Sequence, residues 1–322
     1  MRIMVWHVHG SWTTSFVQGG HDYLVPLTPD RGPDGRGRAR TYPWPDNVHE
    51  VPYDRLAAEH VDLVVYQRPH EIELAGEWLG RDVPGVYVEH NTPAGDVPKT
   101  RHPLADRADI PLVHVTHFND LFWDSGRAPT HVIEHGVVDP GHLYTGELAR
   151  AGVVVNEPVR RWRVAGTDLL PTFAAAAPLD VFGMKVTGLP ATLGLADDMA
   201  AFEDLPQREM HAELARRRVY LHPYRWTSLG LSLIEAMMLG MPVVAMATTE
   251  AVEAVPPEAG VISTKLPTLV RALETFATDP ELAAQAGKAA RSAALARYDV
   301  RRFLADWERL LGEIVPDRAA GS

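Results

Sequence analysis

The stretch His222-Pro223-Tyr224-Arg225-Trp226-Thr227-Ser228-Leu229-Gly230-Leu231-Ser232-Leu233-Ile234-Glu235-Ala236-Met237-Met238-Leu239-Gly240-Met241-Pro242 gathers the residue types best able to handle a charged ligand. An apolar run ends near His222, a tight turn containing Gly230 follows, and apolar residues at helical spacing begin at once. The free N–H groups at such a helix start, with the positive end of its dipole, form an anion site suited to a diphosphate. Glycine lets a ligand come close to the backbone. Ser228, Leu229, Gly230 and Leu231 are therefore the candidate phosphate turn. Glu235 lies about one turn further on, where its carboxylate can accept hydrogen bonds from a ribose diol. Gly240 ends the helix, and Pro242 blocks its continuation. These residues alone leave a second reading open: a buried helix whose Leu231, Ile234, Met237 and Met238 are core, with Glu235 solvated.

Two further places could meet a ligand. His90, in Val88-Glu89-His90-Asn91, directly follows an apolar, β-branched run, at the strand end where open parallel sheets bind. The turn His9-Gly10-Ser11 follows the first such run, and Gly10 and Ser11 could approach a phosphate or an acceptor hydroxyl. It lacks a full dinucleotide fingerprint, and a plain connection between strand and helix accounts for it as well.

The elements that must position these residues alternate between short β-branched runs and helical segments, which predicts open parallel sheets covered by helices. In the first half, strands are expected at 3–8, 62–66, 85–88, 112–115 and 131–133. Residues 28–60 are rich in Pro, Gly and Arg and read as an irregular surface loop with room to move, holding one short strand near 49–51. The second half begins with a strand at 152–155 and continues with a helix at 167–176 and a strand at 179–182. A helix at 206–216 with Asp204 as its N-cap comes next, then a strand at 219–221 and the helix at 231–239. Strands at 243–246 and 260–262 precede three closing helices. The expected division is 1–145, 146–300 and a terminal helix and tail, 301–322, that packs back on the first domain.

Composition narrows the function. The 322 residues carry a formal charge of −11, which argues against nucleic acid as a main partner. There is no cysteine, so disulfides, thiol nucleophiles and cysteine metal sites are excluded, and a cytoplasmic setting is the simplest expectation. The N-terminal apolar run is too short for a signal peptide, and no window is long enough to span a bilayer.

The 220–255 region resembles the donor-site signature of the retaining glycosyltransferases of family 4. That signature is a strand, a Glu-x-x-Gly-Leu turn, and a helix reading Glu-Ala-Met-x-x-Gly-x-Pro-Val-Val. Glu235 matches the second glutamate of the family's Glu-x7-Glu pair, and Gly230-Leu231 matches the turn. The first glutamate falls on Thr227, so a hydroxyl stands where the family has a charge near the sugar. Asp279-Pro280-Glu281-Leu282 and Arg297-Tyr298 extend the likeness, which is good over residues 200–312 and loose before them.

The resemblance implies a GT-B fold, two Rossmann-like domains with parallel sheets facing across a cleft. The activity it implies is transfer of a sugar from a nucleotide-diphosphate donor to an acceptor hydroxyl that the sequence does not identify. Such an enzyme takes the nucleotide sugar as substrate and uses no cofactor or metal. It implies that His90 contacts the donor sugar and that Ile133-Glu134-His135-Gly136-Val137 forms a hinge, with His135 touching the donor. An arginine after the 152–155 strand, Arg163 or else Arg160, would neutralise the leaving diphosphate, because the family's lysine is replaced by Ala165. Two other activities fit the same fold: nucleotide-sugar binding without transfer, and 2-epimerisation of a nucleotide sugar.

Overall fold

The computed structural model describes residues 1–316, and the final six residues of the expected tail lie outside the described part. The chain divides into two compact units, one of residues 1–138 with the segment from Val300 onward, the other of Asp139–Asp299.

The first unit carries strands β1 (Arg2–Val5), β2 (Asp22–Leu27), β3 (Val48–Pro52), β4 (Leu63–Tyr66), β5 (Gly85–Glu89), β6 (Leu112–His114) and β7 (Thr130–Val132), with helices α1 (Gly10–Phe16), α2 (Glu71–Leu79) and α3 (His117–Phe122) between them. All pair in parallel, in the order β3-β2-β1-β4-β5-β6-β7. The strand order reverses between β1 and β4, so the turns after these strands diverge and leave a crevice at their C-terminal ends.

In the second unit the strands are β8 (Leu148–Val154), β9 (Leu179–Gly183), β10 (Met199–Glu203), β11 (Arg217–His222), β12 (Val243–Met246) and β13 (Gly260–Ser263). Their order is β10-β9-β8-β11-β12-β13, again parallel, with the reversal between β8 and β11. The helices are α4 (Trp162–Ala165), α5 (Leu170–Ala174), α6 (Leu189–Leu193), α7 (Gln207–Leu214), α8 (Leu231–Leu239), α9 (Ala251–Ala254), α10 (Leu266–Thr278) and α11 (Pro280–Tyr298). The helix α12 (Val300–Ile314) then belongs to the first unit. Its Trp307 is 1% exposed and meets Phe16 and Trp12 of α1 edge-on at ring distances of 5.0 and 5.9 Å.

Four sequence expectations need correction. β2 and β10 are strands that the sequence reading missed; residues 22–27 carry an internal Pro26, and β10 is only half-buried, so its apolar pattern is weak. The helix expected at 167–176 is a 3-10 turn, Thr167–Leu169, followed by the short α5, whose first turn holds Pro171. Asp204 does not cap α7: it sits in left-handed backbone at φ 42°, and Pro206 precedes the helix without a side-chain cap. The 28–47 segment is irregular but pinned. Arg38 donates to the carbonyls of Trp44, Pro45 and Val48 at 2.7, 3.1 and 2.6 Å, and Trp44 Nε1 donates to Thr14 Oγ1 at 2.8 Å.

If α12 is part of the first unit's core, Trp307→Ala removes a buried aromatic and should destabilise the protein by about 3–5 kcal/mol. Denaturant unfolding measures this, and an unchanged midpoint would contradict the assignment.

Candidate functional site

At the reversal in the second unit, the connections after β8 and β11 run against each other. Gly166 has φ 72°, and a Cβ there would lie 1.9 Å from Pro223 O, so only glycine fits the approach. The Arg225 N–H donates to Val164 O at 2.9 Å. The Arg225 guanidinium grips both oxygens of Asp168, at 2.5 and 2.9 Å, and the Arg163 carbonyl at 2.9 Å. From the far side, Thr248 Oγ1 donates to Tyr224 O at 2.9 Å and the Glu250 N–H to Ser228 O at 3.3 Å. The turn holding Ser228, Leu229, Gly230 and Leu231 is thereby fixed on both flanks.

Gly230 is the N-cap of α8 and, being glycine, brings no side chain to cap the helix. Of the first-turn donors, the Leu233 N–H is taken up by the Gly230 carbonyl at 2.9 Å, and those of Leu231 and Ser232 are left to whatever lies beyond the helix end. A Cβ on residue 230 would meet His222 Cε1 at 2.6 Å. His222 is buried, and burial pushes its pKa down to about 3, so this ring is neutral and adds no charge to the turn.

Glu235 is 3% exposed, which removes the reading of a solvated side chain. Its Oε1 accepts from Gln207 Nε2 at 3.0 Å, and its Oε2 lies 3.5 Å from His211 Nε2. Both partners come from α7, four residues apart and therefore on one face. Thr227, half-buried in the same turn, makes no hydrogen bond through its hydroxyl among the described residues.

The arginines after β8 differ. Arg160 and Arg163 have side chains 70% and 72% exposed and are already paired, with Glu157 and Asp168 respectively. Arg161 instead lies over the ring of Tyr224, 5.4 Å from its centroid, at the end of β11. Among the described residues Arg161 has no carboxylate partner.

The first unit gathers three histidines at its strand ends. The His9 and His90 rings lie 4.0 Å apart, tilted by 31°, and Trp12 meets His90 edge-on at 5.1 Å. His90 has its pKa held well below the ordinary value by burial, and then by His9 and His135. Burial, then Arg68, brings His9 to about 4; burial, then His9 and Arg302, brings His135 to about 3. Arg302 of α12 also donates to the carbonyls of Glu134 and His135, at 3.1 and 2.5 Å. Gly10 and Ser11, expected in a turn, are the first residues of α1 and are covered: a Cβ on Gly10 would be 2.5 Å from the Tyr42 ring, and Ser11 Oγ lies 3.3 Å from Tyr42 Oη. Each unit thus assembles part of the expected set: Thr227, the 228–231 turn and Glu235 in one, His90 and His135 in the other.

Sequence reasoning missed His9, Trp12, His211 and Gln207, and ranked Arg163 and Arg160 ahead of Arg161 in the same row. The spacing of Gln207 and His211 on one predicted helix was a usable signal; the others depend on packing alone. Among the described residues no group of three or more His, Asp or Glu is placed to hold a metal ion, and no helix is long and apolar enough to cross a membrane.

This double Rossmann-like architecture is the GT-B fold. Sucrose-phosphate synthase from Thermosynechococcus elongatus superposes with a TM-score of 0.70 at 16% identity, covering 97% of this chain and 98% of that one. HepE from Anabaena, in complex with UDP and glucose, gives 0.69 at 17% identity over 97% and 100%. A glycosyltransferase from Rickettsia africae gives 0.69 at 14% identity over 98% and 99%. Residues 186–293, which include the 228–231 turn, α8 and Glu235, match the family described as "Glycosyl transferases group 1". The chain is therefore a GT-B-fold protein related to the group 1 glycosyl transferases. No curated protein sequence matches it.

The buried histidines set an acid limit. In the unfolded chain they take up protons near the ordinary histidine value of 6.5, whereas the native state resists until about 4 for His9 and His114 and about 3 for His135 and His222. The unfolded state binds more protons across that window, so stability rises with pH there. Their contribution is intact above 6.5 and lost as the pH falls towards 4. Urea midpoints should drop between pH 7 and pH 5, and His135→Asn should flatten the slope. A flat profile above pH 5 would contradict the buried, neutral state.

Proposed function

We propose that the protein is a retaining glycosyltransferase that moves a sugar from a nucleotide-diphosphate donor to an acceptor hydroxyl without a metal ion. The observation that carries this reading is the uncapped start of α8 at the sheet reversal with the buried Glu235 one turn inside, in the segment that matches the glycosyl transferases. HepE, which shares the fold, is described in complex with UDP and glucose, and this supports a nucleotide sugar as the ligand.

The roles follow from chemistry. Backbone donors of the 228–231 turn hold the diphosphate, and Glu235, oriented by Gln207 and His211, accepts from the ribose hydroxyls. Arg161 is the cation that offsets the leaving charge, in preference to Arg163 and Arg160, whose guanidinium groups already serve Asp168 and Glu157. His90 contacts the sugar as a neutral ring, with His135 as a further donor contact. No carboxylate stands ready as a nucleophile in the 227–231 turn. The acceptor oxygen therefore bonds to the anomeric carbon on the face from which the C1–O bond to phosphate breaks, and the departing phosphate oxygen takes the acceptor proton. Thr227 supports a second reading, a protein that binds nucleotide sugar without transferring it, since a hydroxyl supplies no charge to a developing oxocarbenium ion.

Calorimetry with UDP and GDP tests the binding half. Glu235→Ala should weaken the better ligand by about 1.5–3 kcal/mol, the range for a hydrogen bond to a charged group. Arg161→Gln should cost a similar amount, while Arg160→Gln and Arg163→Gln should change little. Equal losses at all three arginines, or none at Glu235, would overturn these roles.

Thr227 separates the two readings. Thr227→Val keeps the shape and removes the hydroxyl, so it should slow transfer roughly three- to tenfold, as for one neutral hydrogen bond, with nucleoside diphosphate affinity unchanged. The assay is run in excess EDTA. Complete loss of wild-type turnover there, restored by Mg²⁺, would refute the metal-free chemistry. Recovery of activity only in Thr227→Glu would favour the binding-only reading.

A further inference from the structure

A cage of side chains surrounds the segment Glu89-His90-Asn91, and none of its members has a role so far. Asn119, fully buried on α3, donates through Nδ2 to the carbonyls of both Glu89 and Asn91, at 3.3 and 3.2 Å. Trp123, directly after α3, donates through Nε1 to the same Asn91 carbonyl at 2.9 Å. From the other side the buried Glu89 carboxylate accepts from the Asn91 N–H at 2.6 Å and from His102 Nε2 at 3.0 Å. The Leu104 N–H donates to His102 Nδ1 at 3.0 Å. That bond makes Nδ1 the acceptor and leaves the proton on Nε2, pointed at Glu89. The indole of Trp123 packs edge-on to His102 at 5.1 Å and closes the ring of contacts.

The cage is more than helix or sheet pairing requires. β5 pairs with β6 only as far as Glu89 opposite His114, so the strand ladder does not reach residues 90 and 91. Side chains hold them instead. The Asn91 carbonyl accepts two hydrogen bonds, from two residues of one helix region, and its N–H is held by the Glu89 carboxylate two residues back. The backbone on either side of His90 is therefore held in place, and the His90 ring lies against those of His9 and Trp12. Cages of this kind hold a reacting group within the few tenths of an ångström that chemistry needs.

We propose that Asn119 and Trp123 are positioning residues for His90, acting through the Asn91 carbonyl, with the Glu89–His102 pair as the opposing half of the cage. This rests on the proposed contact between His90 and the donor sugar. It assigns no substrate contact to the cage residues themselves.

The test uses the full chain with Asn119→Asp, which keeps the shape but replaces both donors, and the milder Trp123→Phe, which removes one. UDP and GDP affinities should stay at the wild-type value, because those ligands are assigned to the second unit. With the donor the wild type turns over, kcat should fall ten- to a hundredfold in Asn119→Asp and three- to tenfold in Trp123→Phe, with KM for the donor within about twofold. In ¹⁵N-histidine spectra the His90 ring signals should move in both variants. Wild-type kcat with unmoved His90 signals would overturn the proposal. So would a parallel loss of kcat and nucleoside diphosphate affinity, the pattern of general unfolding. If the wild type transfers no sugar, the functional reading fails by itself; the His90 signals then decide the cage alone, moved signals supporting it and unmoved ones overturning it.

Discussion

The face of the second unit at its sheet reversal depends on one contact, the approach of Gly166 to the Pro223 carbonyl, which leaves no room for a Cβ. Everything nearby follows from it. With the backbones this close, Arg225 can reach back to Asp168 and the Arg163 carbonyl, so the connections after β8 and β11 move as one piece. The same closeness sorts the arginines. Arg163 is drawn to Asp168 on the outside, whereas Arg161 is laid across Tyr224 at the end of β11. A rigid turn with uncapped N–H groups and one cation without a carboxylate partner, among the described residues, is an arrangement for receiving negative charge.

The first unit is built on the opposite principle. At its strand ends His90 and His135 have their charged forms suppressed by burial, and the His90 ring meets the indole of Trp12 edge-on. A neutral imidazole can donate with one nitrogen and accept with the other, which suits hydroxyl groups better than phosphates. The proposed division of labour, anionic diphosphate in one unit and sugar hydroxyls in the other, therefore agrees with the electrostatics of each unit taken alone. The acid sensitivity expected of the protein is the cost of keeping those rings uncharged.

Much of this was legible in the sequence where local chemistry and global packing agree. The β11–α8 segment announces itself because strand end, glycine turn, helix and Gly240-Met241-Pro242 stop all fall in register within some twenty residues. Glu235 could be named, yet its burial could not, because that depends on α7 packing against α8. The arginines show the limit most clearly: Arg160, Arg161 and Arg163 look alike in a row, and only the folded connection separates the paired from the unpaired. β2 and β10 escaped notice because Pro26 interrupts one and the other buries little. The loop at 28–47 looked loose for its composition, while the three carbonyls collected by Arg38 hold it down.

The most direct test of the account is the anomeric configuration of the transferred sugar, followed by ¹H NMR at the start of the reaction with an α-linked nucleotide sugar. A front-face displacement driven from the α8 turn gives an α-linked product first. A β-linked product would contradict the account, and so would release of only an epimerised free sugar.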